Sequence, residues 1–485
     1  MKKGFQYLLL FLVSFVFVTL FSRSTSFLYI FEGADPSIFK QMGRAVLNGK
    51  IMYIDYFDNK GCLLYFIHAF CLWLGGDIFL LLFQAISLFV TLLIWNKMLA
   101  LYRDRRSRMI CLVAALVMLC CFYGAGDQTQ EWCLPFISYP LLLFLRSYKS
   151  GTDLRPRQLF VISLCFGVIT FIQVNNACAF LGFVAYLWIQ YLLKKDFKKF
   201  LVSATCFLAG WILIVIPCVL YFYIKAGWNG VYEMVYASFL SNLEYMGHQW
   251  KTRLTGFVPY CLFLISVIAL IVLDFKNNKD VNLPILLSLC LFLGSFGKLC
   301  NAFYLMAILP LCVMCMVTLK FDDKRVVKYG FSSVIILCLA FYLSNPLLHL
   351  TKDLILQKEQ ERIIYKDFHH CLETVPEEDR DSIFNYNLYW HGTSMMQHEG
   401  LLQCNRVLFS SLVFNLPSLM KEETSKKSTP PKWIIVSFDK YLEKHDAYFI
   451  LENYKNRCSF HYNKRILNNT NIGDAFDVYL FQRKD

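Results

Sequence analysis

Long apolar runs separated by short basic turns organise most of this chain. Hydropathy along it predicts eleven spans, near 5–22, 77–99, 109–124, 132–146, 159–175, 177–193, 200–224, 256–273, 283–299, 302–319 and 329–350. A helical crossing takes roughly 20 apolar residues, so several of these are short. The stretch 1–21 is basic and then apolar. No small-residue cleavage site follows it and many more apolar runs do, so it reads as a retained first helix rather than a removed signal. The segment 61–76 (Leu63, Leu64, Phe66, Ile67, Phe70, Leu72, Trp73) is apolar but shorter than a straight crossing. If it crossed, every later loop would change sides, so it is expected to lie on the outer surface as an interfacial helix. The other reading is a short tilted span paired with the next one.

Beyond residue 350 the pattern changes. The charged stretch 352–366 reads as a helix. Short apolar runs at 383–387, 407–411, 433–438 and 476–482 then alternate with polar and helical stretches, and 425–431 reads as a polar turn. That alternation predicts a small α/β domain. The expected fold class is an all-α polytopic membrane protein carrying a C-terminal extracytoplasmic α/β domain. Residues 1–350 form the membrane unit, with a first outer loop at 23–76, and residues 351–485 form the distal unit. No internal repeat is visible.

Composition agrees. Of 485 residues 57% are hydrophobic, and the mean hydropathy is +0.46, which excludes an ordinary soluble protein. The formal net charge is +13, yet from Thr351 onward 18 basic residues meet 19 acidic ones. The excess therefore belongs to the membrane unit. With the N-terminus cytoplasmic, the inside segments hold 21 Lys and Arg and the outer ones up to residue 350 hold nine. This is the asymmetry of positive cytoplasmic loops, not a nucleic-acid footprint, and it puts the distal unit outside. Of 19 cysteines, 16 precede Thr351, mostly inside spans, where they act as small apolar residues. Cys312 and Cys315 form a C-x-x-C spacing within an apolar helix and read as packing. Cys371, Cys404 and Cys458 lie in the distal unit, where one pair could bridge; the sequence leaves the pairing open.

Chemistry-bearing residues crowd the first outer loop. Asp35, followed by Pro36, Ser37 and an amphipathic stretch, reads as the N-cap of a helix with Pro36 in its first position. It also reads as a carboxylate at the membrane surface able to take a proton from a hydroxyl. Both hold together, because a capped helix fixes its carboxylate. Asp55, Asp58 and Lys60 form a second cluster. Lys60 precedes the interfacial segment, where a lipid phosphate is a natural partner for its ammonium; the plainer reading is a snorkelling lysine paired with Asp58. Asp55 and Asp58 read as shaping the loop. Asp127 and Glu131 occupy another short outer loop. Glu131 stands at the mouth of a span, where an unpaired carboxylate is expensive, or serves simply as an acid favoured by a helix N-terminus.

Weaker candidates are Gln173, Asn175 and Asn176 near an outer helix end. Lys298, beside Asn301 and Tyr304, is a cation in an apolar stretch and is expected to face a cavity. The outer loop 225–253 carries Trp228, Tyr232, Tyr236, Tyr245, His248 and Trp250, which suit sugar stacking or the membrane interface. Asn468-Asn-Thr470 matches a glycosylation acceptor pattern, which bears only on a secretory eukaryotic setting.

The run Asp35-x-x-Ile-Phe-x-x-Met-Gly-Arg-x-x-Leu-x-Gly49, followed by Tyr53-x-Asp-x-Phe-Asp58-x-Lys60-Gly61, resembles the first outer loop of GT-C-type glycosyltransferases. The likeness is to bacterial multispanning members related to protein O-mannosyltransferases and to the aminoarabinose transferase of lipid A. Thr129-x-Glu131-x-x-x-Pro135-Phe136 and the Asn175-Asn176 pair are similar to further segments of that group. The resemblance implies a polyprenyl-phosphate-linked sugar donor, transfer at the outer face of a bacterial plasma membrane, Asp35 as catalytic base and Lys60 as donor-phosphate contact. Asp58, Asp127, Glu131, Asn175, Lys298 and Tyr304 are the further substrate-binding candidates. The chain departs from the group at Cys62, where proline is frequent, at Gln173, where a basic residue is frequent, and at Phe303-Tyr304, where a His-Tyr pair often precedes the late proline, here Pro310.

The acceptor, a lipid, polysaccharide or protein hydroxyl, is left open. No cofactor is expected. Convergence of Asp35, Asp127 and Glu131 would admit a divalent metal, but no His or Cys ligand spacing supports one. A transporter or flippase of lipid-linked sugars is the rival from another class. It would place ionisable residues deep in several spans and show repeated halves, whereas this chain gathers its charges in one outer loop. A membrane scaffold without activity is the third reading.

Overall fold

A computed structural model describes residues 3–24, 33–123, 126–248, 279–296, 302–318, 358–388, 390–408, 416–428, 431–438, 442, 444–463 and 475–484. Among these, four stretches are long and apolar enough to cross a membrane: Gly4–Phe21, Asp77–Leu99, Pro156–Leu193 and Phe197–Glu244. Cys62–Gly75, Asp280–Ser295 and Phe303–Val317 are shorter apolar helices. The chain is an integral membrane protein. The expected spans at 256–273 and 329–350 lie outside the described residues.

Helix α1 (Lys3–Phe21) packs along α4 (Asp77–Leu99), and α4 also lies against α6 (Thr129–Ser150). Between α4 and α6 runs α5 (Arg105–Phe122), started by Asp104, whose carboxylate accepts the Arg106 amide at 3.0 Å. Helix α7 (Pro156–Gln173) begins with proline at its first position, where the missing N–H costs nothing. A 3-10 turn, Val174–Ala177, leads into α8 (Cys178–Leu193). Helix α9 (Phe197–Val235) runs along α7, and α11 (Lys279–Phe296) runs along α8. Close approach of backbones is the usual way apolar helices gain contact where lipid offers no hydrophobic drive. Gly182 provides it here: a Cβ at that position would meet the Ser288 amide nitrogen at 2.2 Å.

The segment expected as an open aromatic loop, 225–253, is helical as far as it is described. Helix α9 kinks at Ala226 and Gly227 (φ +61°), then continues through a π-turn, Tyr236–Leu240, into α10 (Ser241–His248). Gly227 bends the helix instead of ending it. Tyr232 and Tyr236, four residues apart, stack at 6.3 Å on one face. Trp250 lies outside the described residues, and Trp228 is exposed.

Helices α2 (Ala34–Leu47) and α3 (Cys62–Gly75) pack on each other. Helix α2 buries Ile38, Phe39 and Met42 and also, unusually, Lys40 and Gln41. Lys40 is compensated: its Nζ lies 2.6 Å from Asp77 Oδ1 in the first turn of α4. Helix α3 buries Leu64, Tyr65 and His68 and presents Phe70 and Trp73 outward. Gly43 and Gly61 allow the close packing, since Cβ atoms there would meet the Ala69 nitrogen at 2.8 Å and the Phe171 carbonyl at 2.2 Å. Later in the chain a 3-10 turn, Ala302–Ile308, and α12 (Leu309–Thr318) follow.

The distal region contains α13 (Lys358–Leu372), β1 (Phe384–Asn385), α14 (Trp390–His398), α15 (Pro417–Ser428), β2 (Trp433–Ser437), α16 (Lys444–Asn453), β3 (Tyr454–Asn463) and β4 (Ala475–Arg483). The sheet order is β1-β2-β4-β3; β1 pairs parallel with β2, and the other pairings are antiparallel. All five residues of β2 are buried. Its side chains alternate between two cores: Trp433 and Ile435 join Phe368, Cys371 and Phe460, while Ile434 and Val436 join Phe384, Tyr386 and Tyr454. A disulfide links Cys371 of α13 to Cys458 of β3, and Cys404 lies outside that bridge. Of the apolar run 407–411, residues 407 and 408 are described, and Val407 makes an isolated bridge to Phe57. The polar stretch expected as a turn from 425 is instead the end of α15.

Candidate functional site

Gly33, extended at φ −66° and ψ 166°, is the residue that caps α2, and Asp35 falls inside its first turn. The N-cap role expected for Asp35 therefore belongs two residues earlier, to Gly33; the Ser37 hydroxyl closes the turn by donating to the Gly33 carbonyl at 2.7 Å. Asp35 keeps some accessible surface, yet it sits deep enough that burial pushes its carboxyl above the ordinary range. The Lys60 ammonium opposes that shift, the Asp58 and Asp127 carboxylates add to it, and the Gln128 amide draws it back. Three acids and one lysine thus share one field, contributed by α2, the loop before α3 and the loop before α6.

The segment 53–61 is held rigidly. Asp58 Oδ1 accepts its neighbour's Asn59 amide at 2.8 Å and lies 3.3 Å from Lys60 Nζ, while Oδ2 accepts the Tyr65 hydroxyl at 2.7 Å. Lys60 Nζ also donates to Asn59 Oδ1 at 2.8 Å and stands 6.0 Å from the Phe39 ring centroid. Asn242 Nδ2 donates to the Asn59 carbonyl at 2.8 Å. Asp55 accepts the Ile51 amide at 2.6 Å, a purely local turn contact. Lys60 thus does pair with Asp58, as the plainer reading held, and its side chain remains 15% exposed, enough for a ligand to reach.

Asp127 anchors the third element. Its backbone is left-handed (φ +54°), an arrangement Asp tolerates better than most residues. Oδ1 accepts the Trp132 indole N–H at 2.7 Å, and Oδ2 lies 2.8 Å from His68 Nε2. His68 Nδ1 is 2.8 Å from the Leu64 carbonyl, which can only accept, so Nδ1 carries a proton. Glu131 accepts the Tyr123 hydroxyl at 2.5 Å and the Asp127 amide at 2.8 Å. The oxygens of Asp58, Asp127 and Glu131 are all engaged in this way. Among the described residues, salt bridges close on Asp58 and Asp127 but on neither Asp35 nor Glu131, and both oxygens of Glu131 are taken by the Tyr123 hydroxyl and the Asp127 amide.

The structure therefore brings together Asp35, Asp58, Lys60, Asp127 and Glu131. Gln173 joins the edge, its carbonyl oxygen accepting from Thr129 and, at 3.2 Å, from Gln130. Asn175, in the turn that follows, donates to the Ser295 carbonyl at 3.2 Å and so ties α7 to α11. Tyr304 sits in the 3-10 turn packed on α5 and α6, its ring 4.4 Å from Phe303. Lys298 lies outside the described residues. Sequence reasoning missed Tyr65, His68, Tyr123 and Trp132; a histidine and two tyrosines at apolar helix positions were the available signal. Among the described residues no three of His, Cys, Asp and Glu gather so as to hold a metal ion, and the engaged oxygens of Asp127 and Glu131 do not fit one as they stand.

This helical bundle with a distal sheet shares its fold with a solved oligosaccharyltransferase. Two solved structures match it over nearly the whole chain. The Archaeoglobus fulgidus oligosaccharyltransferase in a complex with Zn and sulfate aligns with TM-score 0.54 and 14% identity, over 94% of this chain and 72% of its own. The same organism's oligosaccharyltransferase, tethered with an acceptor peptide containing the NVT sequon via a disulfide bond, aligns with TM-score 0.51 and 12% identity, over 96% and 73%. No protein-family model matches the chain, and no curated protein matches it.

Proposed function

We propose that the protein is a glycosyltransferase that moves a sugar from a polyprenyl-phosphate donor to a hydroxyl acceptor at the outer face of the membrane. The observation that carries this reading is the placement of a carboxylate, Asp35, on which no salt bridge closes among the described residues, in the same field as the reachable ammonium of Lys60. Asp35 takes the proton of the acceptor hydroxyl as its oxygen attacks the anomeric carbon. The bond from that carbon to the phosphate oxygen breaks, and polyprenyl phosphate leaves as a stable anion steadied by Lys60. One base and one cation suffice, unlike the two carboxyls of ordinary glycosidases, and direct displacement inverts the anomeric centre. Asp58 orients Lys60, while Asp127 and Glu131 hold the wall facing Asp35. Asn175, Lys298 and Tyr304 are retained as more distant donor contacts.

The solved structures support the fold for this chemistry, and one of them carries an acceptor peptide; lipid, polysaccharide and protein hydroxyls are all admissible acceptors here. In this reading residues 1–350 form an eleven-span membrane unit with the outer loop 23–76, and residues 351–485 lie outside the cytoplasm of a bacterial plasma membrane. The Cys371–Cys458 disulfide supports that side, since such bonds persist in oxidising compartments. The test is incubation of purified protein with a labelled polyprenyl-phosphate sugar and mixed acceptors. A new glycoside, absent with Asp35→Asn, supports the reading; donor translocation without a glycoside makes the protein a transporter.

A further inference from the structure

Arg406 comes from the distal region, yet most of its contacts are made elsewhere. Its Nη2 donates to the Tyr53 carbonyl at 2.6 Å, across 353 positions of sequence. The same nitrogen lies 3.1 Å from Glu233 of α9, and Nη1 lies 3.0 Å from Glu422 of α15. The guanidinium stands 5.6 Å from the Phe57 ring centroid, and the Arg406 carbonyl accepts the Phe57 amide at 2.7 Å. A planar fork with several donors is the group suited to hold partners from three directions at once.

Tyr53 passes this constraint to the site. It is fully buried and left-handed at φ +68°, a conformation a bulky residue keeps only when its surroundings fix it. Its amide donates to the Tyr56 carbonyl at 2.6 Å, closing the loop on itself. Its hydroxyl donates to the Lys60 carbonyl at 2.8 Å. Next to this path, the Tyr56 hydroxyl donates to the Gln403 carbonyl at 2.5 Å, so a second residue of the same loop is tied to the same distal segment.

We infer that Arg406 is a positioning residue for Lys60: it fixes the Tyr53 backbone, and Tyr53 in turn fixes the lysine that meets the donor phosphate. The distal region is then a working part of the donor site. This rests on the transferase reading above. Arg406 does not touch the reacting atoms, so its loss acts on donor engagement and leaves the proton transfer to Asp35 alone.

The test uses full-length purified protein and a labelled polyprenyl-phosphate sugar, with Arg406→Lys and Tyr53→Phe made separately and together. Arg406→Lys keeps the charge but loses the fork; Tyr53→Phe removes a single hydroxyl and leaves the Arg406 contact to the carbonyl in place. Each single variant is expected to lower donor kcat/KM by about tenfold, the scale of one lost hydrogen bond, with acceptor KM changed less than about twofold. The double variant is expected to show little more than either single one, because both cut the same path. Amide exchange over residues 53–61 is expected to quicken in Arg406→Lys. Wild-type donor kcat/KM and wild-type exchange in both single variants overturn the inference while leaving the transferase reading intact, as does a change in acceptor KM alone. Wild-type protein that forms no glycoside overturns both.

Discussion

Gly61 donates its amide N–H to the Ile172 carbonyl at 2.9 Å, which fastens the residue after Lys60 to the last turn of α7. A Cβ at this glycine would stand 2.2 Å from the Phe171 carbonyl carbon and oxygen. Gly61→Ala must therefore push α3 and α7 apart or move the Lys60 loop. Overpacking of this kind costs about 1–3 kcal/mol or more. A lowered thermal midpoint together with weakened donor use is expected, read by thermal unfolding in detergent and by donor KM.

Asp35→Asn is expected to abolish transfer without harming the fold. A carboxyl whose folded pKa is raised holds its proton more tightly folded than unfolded. Folded-state stability therefore falls as pH climbs from the ordinary carboxylate range through the raised value. Above that range the Asn variant, which has no charge to bury, should melt at or above the wild-type temperature. The acidic limb of the wild-type rate profile should likewise lie above the ordinary aspartate range, since the base must be deprotonated to work. A melting-point series across pH and a pH–rate profile check both statements; a clearly less stable Asn variant at neutral pH would contradict the burial argument.

Lys60→Ala is expected to raise donor KM strongly, and Lys60→Arg to restore part of it, because a guanidinium still meets phosphate but with different reach. Donor titrations at fixed acceptor read this directly. Unchanged donor kinetics in the alanine variant would remove the phosphate assignment.

His68→Ala leaves Asp127 buried without its partner on Oδ2. Removing one member of a buried pair typically costs about 3–5 kcal/mol. The variant is expected to express poorly or melt early, whereas an exposed lysine such as Lys198 tolerates alanine. Comparing the two melting curves under one detergent condition checks it.

Breaking the Cys371–Cys458 bridge by a double serine substitution is expected to cost about 2–5 kcal/mol, the usual range for a native disulfide. Mass analysis of alkylated peptides, with and without reductant, should find these two cysteines protected together.

What could be read directly from the residues was whatever repeats along the chain or clusters within it. The apolar runs located α1, α4 and α7 to α9. β2 stood out because Trp433-Ile-Ile-Val is a run that only a central, doubly covered strand can bury. Asp35, Asp58 and Lys60 were legible because charge is rare in such a chain. β3 was not: its sequence, Tyr-Lys-Asn-Arg-Cys-Ser-Phe-His-Tyr-Asn, is polar at most positions, and it is a strand through its pairing with β4. Val407 opens an apolar run in the distal region, but its partner is Phe57, and no local pattern announces a pairing across such a distance. Arg406 and His68 were missed for the same reason. Their importance comes from what the fold places opposite them, and a lone histidine in an apolar helix looks like any other core residue.

Position 127 is under two unrelated demands. Its main chain turns left-handed, which favours Gly, Asn and Asp, and its side chain must meet an indole N–H with one atom and an imidazole nitrogen with the other. Glycine meets only the first demand and glutamate only the second, while asparagine and aspartate meet both. In a saturation library at this codon, these two residues should be the survivors under selection for folded protein.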